Sequence, residues 1–207
     1  MIEEATLSEA LADVRKAYRF LWCYQERIID IVRVIAGEFD DLKFYYSVSH
    51  TTTRRDAYNV DLLNNSWHAF PLMNVSYLYK PERGGDKIDS GEWLLEIRVI
   101  SDTGCADDNA EAPGDATKFR GIEQTETRLN LYIFYCQETI KGNWLKTVWD
   151  NVLWPEPDGR SSQDADLPVA TVGMSWDLAK LQDKDAAQTA VLDFKATAST
   201  ALGLEFS

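Results

Sequence analysis

Between Leu7 and Ile35, the residues Leu7, Leu11, Val14, Tyr18, Leu21, Ile28, Val32 and Ile35 recur at alternating intervals of three and four, with Gln25 filling one turn. That spacing draws one stripe along a helix running to about Ala36, where Gly37 is a natural stop. Thr6-Leu7-Ser8-Glu9 has the form of a capping box, whose hydroxyl and carboxylate satisfy backbone donors at a helix start. Roughly thirty residues at 1.5 Å each make a rod of about 45 Å. Such a rod either crosses the whole domain or overhangs it.

After Gly37 the period changes to two. Leu42–Val48, Leu72–Tyr79, Trp93–Ile100, Thr127–Gln137 and Pro168–Trp176 read as strands. The second and third form a hairpin whose tip holds Pro81 to Asp86. Asn143 is placed to cap a short helix in which Leu145, Val148, Trp149 and Val152 share a face, ended before Pro155. Asp185 with Gln188 resembles a second cap. Ala187, Ala190, Val191, Phe194 and Ala198 follow as a second helical stripe, ended at Gly203. The polar stretches 102–117 and 155–167 read as loops. The order predicts an α+β fold over 1–207 as one domain. A single, mainly antiparallel sheet of about five strands is packed by long N-terminal and C-terminal helices on one flank, and the other flank meets solvent or a visitor. The short helix is placed to act as a crossover, leaving the fifth strand parallel to a neighbour.

Composition narrows the function. The 207 residues carry 34 Asp plus Glu against 21 Lys plus Arg, a net charge of −13. This argues against direct nucleic-acid binding, because the phosphate backbone rewards cations. No apolar run spans a bilayer and no export signal is evident, so no membrane partner is expected. Three cysteines, Cys23, Cys105 and Cys136, show no CxxC pair. That usage predicts reduced thiols and a cytoplasmic location. With only two histidines, His50 and His68, a histidine-rich metal site is excluded by counting. Gly84-Gly85 lacks the Lys-Ser or Lys-Thr of a phosphate loop. No metal and no cofactor is expected.

Alternation leaves one sheet face to explain. Trp93, Leu95, Ile97 and Val99 oppose Leu94, Glu96, Arg98 and Ile100; Leu129, Leu131, Ile133 and Tyr135 oppose Arg128, Asn130, Tyr132 and Phe134. If the two strands pair, Glu96, Arg98, Arg128 and Asn130 project from one surface. That surface is either a polar platform for a ligand or partner, or a solvated face with cross-strand charge pairs. Three tryptophans, Trp144, Trp149 and Trp154, crowd into one short stretch that one amphipathic face hides with difficulty. An exposed member suits a protein interface. The segment 102–117, with Asp107 and Asp108, is acidic and free of Lys and Arg, which suits solubility or docking on a basic partner.

Three functions follow as expectations. The leading one is a non-catalytic interaction protein (adaptor, inhibitor or assembly component) holding a protein partner through acidic and aromatic surfaces, with the first helix permitting a homodimer. The second is a metal-dependent nuclease. Glu96-Ile97-Arg98 on a strand is similar to the end of the PD-(D/E)xK nuclease pattern, with Asp61 or Asp89 as the earlier carboxylate. Arg98 stands where that pattern has lysine, and arginine does not release its proton. The third is a small-ligand binding domain whose pocket floor is the polar sheet face.

Overall fold

The computed structural model of the chain describes residues 4–50, 73–82, 85–106 and 119–206. Its main elements are α1 (Glu4–Gly37), β1 (Leu42–Ser49), β2 (Asn74–Pro81), β3 (Lys87–Ile88), β4 (Trp93–Ile100) and β5 (Arg128–Cys136). They continue with β6 (Ile140–Lys141), a π-helical turn (Trp144–Trp149), β7 (Asp158–Gln163), β8 (Val169–Asp177) and α2 (Lys184–Leu202). A six-stranded sheet runs β1-β2-β4-β5-β8-β7, and β3 pairs with β6 beside it. All of these pairings are antiparallel. The fold is α+β with the two long helices at the chain ends, as expected, and β2 with β4 is the expected hairpin.

Several details differ. The stretch 155–167 contains β7, an edge strand whose polar sequence DGRSSQ conceals it from a hydrophobic pattern. The strand from Pro168 pairs antiparallel with β5, so the short helix is no crossover. α1 already includes Thr6, which leaves the Thr6–Glu9 box inside the helix rather than at its cap. The cap of α2 is Asp183, whose carboxylate accepts from the Ala186 N–H at 2.8 Å; Asp185 lies in the first turn.

The sheet has a core on each flank. On the first, Ile28, Ile31, Val32 and Ile35 of α1 and Ala190, Val191, Phe194 and Ala198 of α2 pack with Leu95, Ile97, Leu129, Leu131 and Ile133. On the second, the expected solvated face is largely roofed. Trp144, Leu145, Val148 and Trp149 of the π-helical turn, with Ile88 and Ile140 of the β3–β6 ladder, cover Leu78, Leu94 and Phe134. Asn143 caps the turn through the Lys146 N–H at 2.9 Å, and an Asp150 N–H to Leu145 carbonyl bond of 2.9 Å closes its wider ring. Gly142 precedes it at φ 126°, where an added Cβ would meet Thr147 Oγ1 at 2.1 Å. Backbone freedom and space both demand glycine there.

A bulge in β1 decides what reaches the second flank. Phe44 pairs with Tyr79, but Tyr46 pairs with Leu78, because one extra residue is inserted between them. Phe44 therefore packs on the helix side, while both Tyr45 and Tyr46 pack on the other. Every later alternate residue of β1 is shifted with them, and Val48 and His50 follow onto the second flank.

Candidate functional site

Three rungs of the second flank carry the polar residues. The first sets Val48, Ser76, Arg98, Asn130 and Ser175 side by side across β1, β2, β4, β5 and β8. The next sets Tyr46, Leu78, Glu96, Tyr132 and Gly173 in line. The third begins at His50, whose N–H donates to the Asn74 carbonyl at 2.9 Å, and passes through Ile100 to Arg128. The expected surface of Glu96, Arg98, Arg128 and Asn130 exists, but its members occupy different environments.

Glu96 is fully buried at its centre. Trp149 Nε1 donates to Glu96 Oε2 at 2.8 Å, and Ser76 Oγ is hydrogen-bonded to Oε1. His50 Nε2 lies 2.7 Å from the same serine oxygen. Burial pushes the Glu96 carboxyl up to about 7, against the opposing pull of Ser76, Arg98 and Trp149. Burial, aided by the Arg98 charge, holds His50 down at about 3. At neutral pH the imidazole is therefore uncharged while the carboxyl is poised between its two forms. When Glu96 is ionised, His50 donates to Ser76 and Ser76 donates to Glu96. When Glu96 is protonated, the chain of donors reverses and His50 accepts. The serine hydroxyl stands between imidazole and carboxyl. In a nucleophilic triad the imidazole stands between the other two, so this order does not place His50 to activate Ser76 against Glu96.

Arg98 leads out of this buried chain. Its Nε donates to Asn74 Oδ1 at 2.9 Å, and its guanidinium carbon stands 4.8 Å from the centre of the Trp154 ring. Among the described residues its two terminal amino groups make no hydrogen bond or ion pair. Its rung neighbour Asn130 is buried and donates to Tyr132 OH at 3.1 Å, while Asn130 Oδ1 has no partner among the described residues. Turning the amide over only exchanges which end is left over. Tyr132 and Trp149 flank Trp154, with ring centres 5.5 and 5.3 Å away. Burial and the Glu96 charge push the Tyr132 hydroxyl up to about 12, so it stays a neutral donor. The Tyr132 ring lies across Gly173, where a Cβ would come within 2.4 Å of it. A half-buried cation on an aromatic face, beside an unsatisfied amide, is suited to binding an anion through paired N–H donors.

Other expected residues fall elsewhere. Arg128 is exposed and pairs with Glu126 at 2.7 Å, apart from the buried chain. Trp144 and Trp149 are 3% and 6% exposed, so they form the roof rather than an aromatic surface. Trp154 is half-buried. Asp89 bonds Lys87 at 2.7 Å in an exposed turn. With both oxygens of Glu96 engaged by Ser76 and Trp149, these two residues do not make a paired carboxylate site. Asp107, Asp108, Asp61 and His68 lie outside the described residues. Among the described residues no three His, Cys, Asp or Glu side chains are grouped to hold a metal ion, and no helix is long and apolar enough to cross a membrane. Sequence reasoning missed His50, Asn74 and Ser76. The signal for His50 was the Tyr45-Tyr46 doublet, where strict alternation breaks.

The family model PM0109 matches residues 4–203. Over 204 residues the chain is 28% identical to the uncharacterised protein PM0109 of Pasteurella multocida (strain Pm70), an alignment covering 95% of this chain and 96% of that one. No solved structure matches the chain. The match from the start of α1 to the end of α2 places the chain in the PM0109 family.

Proposed function

We propose that this protein is a ligand-binding domain that holds a small anion, carboxylate- or phosphate-bearing, against the second flank of the sheet. One observation carries the reading: the Arg98 guanidinium lies on Trp154 with both terminal amino groups uncommitted among the described residues, next to an Asn130 amide oxygen that has no partner among them. The anionic group takes the two amino groups side by side, and a donor elsewhere on the ligand satisfies Asn130. A buried polar group without a partner costs about 1–3 kcal/mol, which a matching ligand recovers. The free thiols of Cys23 and Cys136 suit a reducing compartment such as the cytosol. The nuclease reading loses support, since both Glu96 oxygens are engaged inside the fold.

The test is thermal unfolding in a panel of sulfate, phosphate, dicarboxylates and phosphorylated metabolites, using the whole chain and Arg98→Ala. A ligand that binds only the folded state raises Tm with its concentration. We expect a saturable rise for members of the anionic panel that Arg98→Ala abolishes. No rise with any anion, or an equal rise in Arg98→Ala, overturns the reading.

A further inference from the structure

The first half of α1 presents an apolar stripe that stands about half exposed. The helix is anchored from Tyr24 onward: Tyr24 OH donates to Ser101 Oγ at 2.8 Å, and Arg27 donates to the Leu181 carbonyl at 3.1 Å. From Ile28 its apolar face enters the core. Before Tyr24, Leu7, Leu11 and Val14 are 50%, 49% and 48% exposed on the same stripe. This projecting part is about 30 Å long at 1.5 Å per residue. In proteins most of a helix's stability comes from packing its apolar face rather than from propensity.

The stripe is a heptad seam. Leu11, Tyr18, Gln25 and Val32 occupy one core position, and Leu7, Val14, Leu21, Ile28 and Ile35 the other. The seam that seats α1 on the sheet from Ile28 onward therefore continues into the half before Tyr24, where Leu7, Leu11 and Val14 are half exposed. Charge along that half is divided. From Thr6 to Asp13 it carries Glu9 and Asp13 and no cation; from Val14 to Trp22 it carries Arg15, Lys16 and Arg19 and no anion. A parallel pair would set like against like. An antiparallel pair lays the acidic half of one copy along the basic half of the other.

We propose that the projecting half of α1 pairs antiparallel with the same segment of a second copy, forming a two-fold dimer. A matched register sets Leu11 opposite Val14 and Leu7 opposite Tyr18, each contact made twice by symmetry. This inference rests on no part of the ligand reading, since the seam and the Arg98 cluster use separate residues.

Sedimentation velocity of the full chain over a roughly hundredfold range of concentration tests it, because mass action makes a dimer concentration-dependent. The wild type is expected to pass from monomer to dimer. Leu11→Glu with Val14→Glu is expected to stay monomeric throughout, with the thermal unfolding of the dilute monomer unchanged. A wild type that is monomeric at every concentration overturns the proposal and leaves the stripe to a different protein. A dimer that survives the double substitution overturns it as well. Orientation is read by oxidative crosslinking with Cys23→Ser and Cys105→Ser in the background. Leu7→Cys with Tyr18→Cys is expected to form covalent dimers, and Leu7→Cys alone is not. Efficient crosslinking of the single variant contradicts the antiparallel arrangement.

Discussion

Trp149 donates its indole N–H to the buried Glu96 carboxylate across 53 residues of sequence, at 2.8 Å. This bond fastens the π-helical turn to the middle of the sheet and closes the roof over the polar rungs. Replacing Trp149 by Phe keeps most of the packing but leaves Glu96 Oε2 without its donor. The expected cost is about 2–3 kcal/mol in denaturant unfolding at about pH 8. It shrinks at mildly acidic pH, where a protonated Glu96 asks less of its neighbours. An equal cost at both pH values would mean that only packing had been lost.

The pH dependence of stability carries two opposing contributions from this cluster. Glu96 is raised from 4.5 to about 7 in the folded state, so its contribution falls as pH rises through that window. The full effect is on the order of 3 kcal/mol. His50 is lowered from 6.5 to about 3, so its contribution is lost as pH falls through that window. Between 4.5 and 6.5 the two slopes cancel. Glu96→Gln should therefore gain stability relative to wild type as pH rises from 4.5 to 7. His50→Gln should lose stability relative to wild type as pH rises from 3 to 6.5. Urea unfolding of the three proteins across this range is the check, and parallel curves would contradict the assignment.

Gly173 is required for space. Its added Cβ would lie 2.4 Å from Tyr132 Cδ1, so Gly173→Ala must displace the ring that borders Asn130 and Trp154. The expected loss is about 1–3 kcal/mol. In a Tyr132→Ala background the same substitution should cost far less, because the two residues share one volume. A double-mutant cycle by chemical denaturation measures the difference. Additive effects would place the strain elsewhere.

Anion binding at Arg98 should be coupled to Glu96. An ionised Glu96 competes for the positive potential of Arg98, whereas a protonated one does not. Binding of sulfate, whose charge is constant over the range, should weaken as pH rises through about 7. Calorimetric titration on either side of that value measures this effect, and Glu96→Gln should abolish the dependence. A dependence that persists in the variant would assign it to another group.

Much of the architecture was legible because apolar residues obey simple periods. The alternation of Trp93–Ile100 and Arg128–Cys136 correctly sorts both strands into two faces, and their pairing brings Arg98 beside Asn130. The helices ended at Gly37 and at Gly203, whose left-handed φ of 69° explains its choice. What stayed hidden has physical causes. β7 holds its place by backbone pairing with β8 and contributes no apolar stripe. The roof over Glu96 depends on a π-helical turn, a geometry without a periodic signature. His50 reaches Ser76 through a one-residue bulge, which reverses the face of everything after it.

The most direct test of the anion site observes Arg98 itself. In nitrogen-labelled protein, the Nε–H signal of Arg98 can be assigned by its loss in Arg98→Lys and followed while a panel anion is titrated. The account predicts a saturable shift of that signal, together with the indole signal of the Trp154 ring it covers. Signals that stay fixed while the anion stabilises the protein would place the binding elsewhere and contradict the account.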